Sequence, residues 1–252
     1  NFSFAFRTWY KILIKLLTRR SKQIITVSNF SYNELHRYCS VIAKMNIIPG
    51  SKEQITRINS DDTILEKHGL NKHKYVLAVS SMNPNKNFHS VIKAINRLKD
   101  VECTFVIAGS KNSRVFESIE LPLENNVRYV GYVNDAELKS LYEHALCFVF
   151  PSFYEGFGIP PLEAMACGCP VIVSNKASLP EVCGDAALYC DPNDIDDIAE
   201  KIKDYIEDAN LRETMRQKGI ERANEFSWEY SASLLLTLIE KELMSIEYGN
   251  VM

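Results

Sequence analysis

Between residues 74 and 205, short apolar runs alternate with stretches of helical period. The runs are Tyr75-Val-Leu-Ala-Val-Ser80, Cys103-Thr-Phe-Val-Ile-Ala108, Val127-Arg-Tyr-Val130, Cys147-Phe-Val-Phe150, Val171-Ile-Val-Ser174 and Ala187-Leu-Tyr-Cys190. Runs this short and this apolar predict strands covered on both faces. Between them, Phe88, Val91, Ile92, Ile95 and Leu98 form one face of a predicted helix, with Asn87 as its cap. Asn134 and Glu137 predict a capping box, with Leu138, Leu141 and Tyr142 turned inward. Pro161 opens a third predicted helix, closed by Gly168 and Pro170. Asp194 starts a fourth, with Ile195, Ile198, Ala199, Ile202 and Ile206 on one stripe. Helices are also predicted near 211–224 and 228–246. The alternation predicts an α/β fold with a doubly wound parallel sheet.

Upstream the pattern is less regular. Trp9, Ile12, Leu13, Leu16 and Leu17 fall at helical spacing within residues 1–22, which carry six basic residues and no acidic ones. Such a helix suits an anionic membrane surface, and equally a neighbouring domain that covers its apolar stripe. Gln23-Ile-Ile-Thr-Val-Ser28 predicts a strand, Ser31 with Glu34 a capping box, and Asn46-Ile-Ile-Pro49 a short strand before a turn. Residues 51–73 are polar and irregular, as an interdomain linker would be. The expected division is therefore 1–50, the linker 51–73, a Rossmann-like domain at 74–227 and a terminal helix at 228–252. The start at Asn1 is read as that of a fragment of a longer protein.

The 252 residues are 46% hydrophobic and 24% charged, enough for a packed core and unlike a disordered or collagenous chain. A net charge of −3 argues against a dedicated nucleic-acid binder. No apolar run reaches the length of a membrane-spanning helix. The seven cysteines are odd in number, and several lie in apolar runs, as thiols do in a reducing compartment. This points to the cytoplasm, with peripheral attachment at the inner face of the membrane if residues 1–22 bind lipid. No CxxC or HExxH occurs and the histidines are scattered, so no metal site is expected.

In open parallel sheets, ligands bind beyond the carboxyl ends of the strands. One loop there, Ser80-Ser-Met-Asn-Pro-Asn-Lys86-Asn87, delivers Lys86 just before a predicted helix. A lysine beside open backbone amides suits an anion, although a solvated surface lysine reads the same way. Gly109 and Gly131 follow strands but carry little information. The sharpest stretch is Pro151-Ser-Phe-Tyr-Glu155-Gly-Phe-Gly-Ile-Pro-Pro-Leu-Glu163. Gly156 and Gly158 permit positive φ. The expected helix opens at Pro161, which would place Glu163 in its first turn. The residues suit a sugar nucleotide. Glu163 can accept both hydroxyls of a ribose diol, the amides of Phe157, Gly158 and Ile159 can hold sugar or phosphate oxygens, and Glu155 can face the sugar. A tight turn followed by a dipole-favoured glutamate is the plainer alternative.

Glu155 and Glu163 form a Glu-x7-Glu pattern within EGFGIPPLEAMACGCPVIVSN. This stretch resembles the retaining glycosyltransferases of family 4, which carry the GT-B fold of two facing Rossmann-like domains. Ser178-Leu-Pro-Glu181-Val-Cys-Gly-Asp-Ala-Ala, Gly131-Tyr-Val-Asn-Asp-Ala-Glu-Leu138 and Phe226-Ser-Trp228-Glu extend the resemblance over about residues 20–240. It implies that Glu155 is catalytic and contacts the donor sugar, that Glu163 holds the ribose, and that Lys86 binds the diphosphate. Gly156, Phe157, Gly158 and Ile159 would complete the donor site. Many relatives carry an arginine five or six residues before the lysine. Ser81 and Ser80 stand there instead, and Ser81 is counted with the donor-binding residues.

The resemblance implies a hexosyltransferase that moves a sugar from a nucleoside diphosphate sugar to a glycan or lipid-linked acceptor, with retention and without a cofactor or metal. The Pro-Asn-Lys-Asn loop and EGFGIPPLE resemble mannosyltransferases of cell-surface polysaccharide assembly, so GDP-mannose is the expected donor. Residues 1–50 would be a remnant of the acceptor-side domain, and the donor-binding part alone would transfer poorly or not at all. The apolar face of the last helix (Leu234, Leu235, Leu238, Ile239) would be exposed or used in a dimer. A sugar-nucleotide epimerase of similar fold and a non-catalytic nucleotide-sugar-binding module are the competing readings.

Overall fold

A computed structural model describes residues 3–70, 75–79, 83–109 and 126–249. The chain forms two compact units, Ser51–Ser227 and Asn1–Gly50 with Trp228–Met252.

The smaller unit begins with α1 (Phe4–Arg20), β1 (Gln23–Thr26), α2 (Asn29–Tyr38) and β2 (Lys44–Ile47). The two strands pair in parallel, Gln23 opposite Lys44. The cap of α2 is Ser28, whose Oγ accepts from the Ser31 amide at 3.0 Å. Ser31, the expected capping residue, therefore lies inside the helix. Aromatic and aliphatic side chains of α1, among them Phe4, Trp9 and Ile12, are exposed.

The larger unit comprises α3 (Glu53–Thr56), α4 (Thr63–Lys67), β3 (Tyr75–Val79), a 3-10 turn at Pro84–Lys86, α5 (Phe88–Arg97), β4 (Thr104–Ala108), β5 (Val127–Gly131) and α6 (Asp135–His144). It continues through β6 (Cys147–Phe150), α7 (Ile159–Ala166), β7 (Val171–Ser174), α8 (Leu179–Cys183), β8 (Ala187–Cys190), α9 (Ile195–Glu207) and α10 (Ala209–Asn224). The last helix, α11 (Trp228–Gly249), belongs to the smaller unit. There Gln23 Nε2 donates to Glu242 Oε1 at 2.6 Å and Ser231 Oγ to the Pro49 carbonyl at 2.8 Å. Leu235 and Ile239 of α11 are exposed, whereas Leu234 and Leu238 are half-buried.

The six strands β5-β4-β3-β6-β7-β8 form one sheet in which every pairing is parallel. Side chains alternate across it, as the two-residue period of a strand requires. Leu77, Val106, Phe148, Phe150 and Val171 enter one apolar layer with Leu141, Leu162 and Met165. Val76, Phe105, Ile107, Val149 and Ile172 enter the other with Val91, Ile92, Ile198 and Ile202. The continuous apolar runs exist because both faces are covered. Cys103, Cys147, Cys169, Cys183 and Cys190 are free thiols buried within these layers.

Two further expectations change. The stretch 51–73 was expected to be an irregular linker, but α3 and α4 form there within the larger unit. Ile64, Leu65 and Leu70 join the same apolar layer as Leu77 and Phe148. Helices of four and five residues are too short to display a periodic stripe and depend on tertiary packing. In addition, α7 starts at Ile159 rather than Pro161, so Glu163 stands in its second turn. Gly158 makes the earlier start possible by entering the helix with φ 114°.

Candidate functional site

The chain runs from β3 outward through β4 to β5, then returns to place β6 on the other side of β3. Connections reverse direction between β3 and β6, and a crevice opens beyond their carboxyl ends at such a point. Lys86 leaves β3 and Glu155 leaves β6, so topology brings together two groups 69 residues apart.

Lys86 ends the 3-10 turn that Asn83 caps, its side chain accepting from the Asn85 amide at 3.0 Å. The ammonium lies 2.8 Å from Glu155 Oε1 and 4.5 Å from the centre of the Phe150 ring. The Lys86 and Glu155 side chains are only 23% and 13% exposed, so their mutual attraction is weakly screened. The next residue, Asn87, is buried and left-handed (φ 54°), and does not cap α5 through its side chain as expected. Its side-chain amide instead donates to the carbonyls of Pro151 at 3.1 Å and Pro192 at 2.6 Å. A side chain with only local partners would cap the helix; this one is drawn off by carbonyls at the ends of β6 and β8.

The Glu155 loop is tied down by serines. Ser152 Oγ lies 2.5 Å from Glu155 Oε1 and 2.7 Å from the Asn85 carbonyl. The Phe153 amide donates to the same carbonyl at 2.7 Å. Ser174 Oγ donates to the Ser152 carbonyl, and Ser178 Oγ reaches the carbonyls of Glu155 and Phe157 at 3.0 and 2.7 Å. Apart from the Ser152–Glu155 bond, which spans three residues, the partners of these serines lie 21–67 residues away in sequence.

Gly156 is exposed, and the positive φ expected of it is confined to Gly158. A Cβ on Gly158 would stand 2.7 Å from Leu179 Cδ2, so both conformation and space require glycine there. Phe157 is buried against Phe226, ring centres 5.6 Å apart. Pro160 and Pro161 carry no amide hydrogen, so the opening of α7 offers donors chiefly from Ile159 and the loop before it.

Glu163 sits in a different environment. Its Oε1 accepts from Gln54 Nε2 of α3 at 2.9 Å. Burial raises its pKa to about 7, the Gln54 hydrogen bond lowers it and Asp135 raises it further. Gln54 had no place among the expected site residues; it lies in the stretch read as a linker. Ser81 falls outside the described residues. Among the described residues, no three His, Cys, Asp or Glu side chains converge as a metal cluster would, and no helix is long and apolar enough to cross a membrane.

The arrangement offers a cation held by a carboxylate at the sheet's switch point, loop amides before the adjoining helix, and on that helix a carboxyl group whose pKa burial raises to about 7. That is chemistry for an anionic, hydroxyl-rich ligand. The chain is 38% identical over 220 residues to O-antigen chain mannosyltransferase B of Escherichia coli, across 83% of this chain and 58% of that one. It is 34% identical over 196 residues to O-antigen chain mannosyltransferase RfbU of Salmonella typhimurium, across 76% and 53%. The chain thus spans little more than half the length of these curated relatives. Sucrose-phosphate synthase from Thermosynechococcus elongatus shares its fold with a TM-score of 0.81 at 22% identity, covering 94% of this chain and 62% of that one. Anabaena Alr3699/HepE, solved in complex with UDP and glucose, does so at 0.79 and 20%, covering 95% and 68%. Residues 60–222 match the model of the glycosyl transferases group 1, and with the α/β sheet and the relatives above this establishes that the chain belongs to that family.

Proposed function

We propose that this chain is the donor-binding half of a retaining family 4 glycosyltransferase, with residues 1–50 the end of the acceptor-side domain. The reaction moves mannose from GDP-mannose to a glycan or lipid-linked acceptor. The observation that carries this reading is the Lys86–Glu155 ion pair at the reversal of strand order, beside the opening of α7. Mannosyl transfer is supported by the names of the relatives that share 34–38% of the aligned residues.

In this reading, negative charge grows on the diphosphate as the bond to the anomeric carbon breaks. Lys86 and the amides of Phe157, Gly158 and Ile159 stabilise it from fixed positions. Gly156 lets the loop reach the ligand, Glu155 faces the sugar, and Glu163 accepts the ribose hydroxyls. No metal or other cofactor is required, because the amine and amides carry the electrostatic work. The protein is cytoplasmic. The exposed aromatic and cationic positions of α1 support contact with the inner membrane face, and the exposed Leu235 and Ile239 of α11 support a dimer.

Calorimetry tests the reading directly. The chain binds GDP-mannose, and Lys86→Ala and Glu163→Ala each weaken binding at least tenfold. Unchanged affinity in both variants overturns the assignment. Normal binding with no sugar transfer by the complete protein would instead favour a binding module.

A further inference from the structure

Within the donor-site reading, one consequence concerns a serine rather than the charged groups. Glu155 Oε1 has two partners, the Lys86 ammonium at 2.8 Å and the Ser152 hydroxyl at 2.5 Å. Lys86 therefore cannot give its full charge to an incoming diphosphate without withdrawing it from Glu155. A carboxylate 13% exposed that loses its cation is costly unless another donor remains. Ser152 is fully buried, and its hydroxyl carries a single hydrogen. Two acceptors compete for it, Glu155 Oε1 and the Asn85 carbonyl at 2.7 Å. The Asn85 carbonyl already has a donor, the Phe153 amide at 2.7 Å. The carboxylate is also the stronger acceptor, because a hydrogen bond to a charged oxygen is the stronger kind.

We propose that Ser152 is a positioning residue that holds Glu155 in place when donor binding draws Lys86 to the diphosphate. The exchange needs no proton transfer: the ammonium moves from one anion to another, and the hydroxyl stays with the first. Ser152 thereby acts on the sugar end of the donor through Glu155, and on the nucleotide end hardly at all. Ser174 provides the comparison. It donates to the Ser152 carbonyl and has no bond to Glu155, so its hydroxyl supports the same backbone without the carboxylate.

The experiment measures the affinity ratio of a nucleotide sugar to its nucleoside diphosphate on the complete chain, with GDP-mannose against GDP and UDP-glucose against UDP. In Ser152→Ala, the ratio for the preferred pair falls about tenfold; in Ser174→Ala it stays near the wild-type value. Equal losses for sugar nucleotide and diphosphate in Ser152→Ala, no loss in either, or the same shift in Ser174→Ala overturns the proposal. Glu155→Gln separates this from the reading it rests on. If that variant leaves the ratio unchanged, Glu155 does not face the sugar. If wild-type chain binds none of the four ligands, the donor site itself is refuted and Ser152 has nothing to position.

Discussion

Glu155 and Glu163 lie eight residues apart on either side of the Gly-Phe-Gly turn, yet their partners differ in kind. Glu155 stands against an ammonium at 2.8 Å and a serine hydroxyl at 2.5 Å. Glu163 has one neutral amide donor and a repelling neighbour in Asp135, and burial holds its pKa near 7. The Glu-x7-Glu spacing alone does not show this difference in partners. The structure separates a carboxylate paired with a cation from one whose pKa burial raises to about 7, and such a difference in surroundings lets two identical groups serve different ends.

The comparison is broken most severely by removing Lys86. Lys86→Ala leaves Glu155 buried without its cation, an effect of about 2–4 kcal/mol after allowance for partial exposure. A melting temperature roughly 5–10 °C lower, read by calorimetry, is the expected result. Loss of nucleoside diphosphate affinity should accompany it, and an unshifted melting temperature would show that the ion pair contributes nothing to the fold.

Gly158→Ala attacks the turn between the two carboxylates. The left-handed conformation and the clash with Leu179 together cost about 1–3 kcal/mol, measurable as a lower urea midpoint. Gly156→Ala, where φ is not positive, should shift that midpoint far less.

Glu163→Gln sharpens the comparison through pH. A carboxyl group with a folded pKa near 7 and an ordinary unfolded value retains a proton in the fold that the unfolded chain releases. Stability from this group is therefore lost as pH rises from about 4.5 to about 7. Glu163→Gln removes that slope, which urea titrations at several pH values would detect. If the ribose hydroxyls require the carboxylate, wild-type GDP affinity should rise through the same neutral range and the variant's should not.

The smallest effect belongs to Gln54→Ala. The Gln54 hydrogen bond lowers the Glu163 pKa, so its loss moves the midpoint of pH-dependent binding upward. The titration should keep its shape, and a midpoint that stays in place would show that Gln54 does not govern the carboxyl group.

Where partners were local, the residues could be interpreted from the sequence. Asn134 and Glu137 form the expected capping box, and Asp194 caps α9 through the amides of Asp196 and Asp197. The apolar runs of β3, β4, β6 and β7 are legible because burial on both faces writes itself into composition, while edge strand β5 keeps an exposed Arg128. Long-range contacts left no such trace. Ser152 and Ser178 look like ordinary loop serines, Ser174 like the end of a strand, and Gln54 like a polar linker residue, until folding delivers the acceptors on Asn85, Phe157, Ser152 and Glu163. Asn87 stands at the N-cap of α5, but its side chain serves carbonyls 64 and 105 residues away instead of the helix amides.

That asparagine has a mechanical consequence. One buried amide rivets the exits of three strands, β3, β6 and β8, and the ammonium of the site belongs to the residue immediately before it. The amide thus ties the backbone at Pro192 to Asn87, next in sequence to the lysine that we propose binds the donor diphosphate. On that proposal, Asn87→Ala should weaken donor binding although Lys86, Glu155 and Glu163 are all retained.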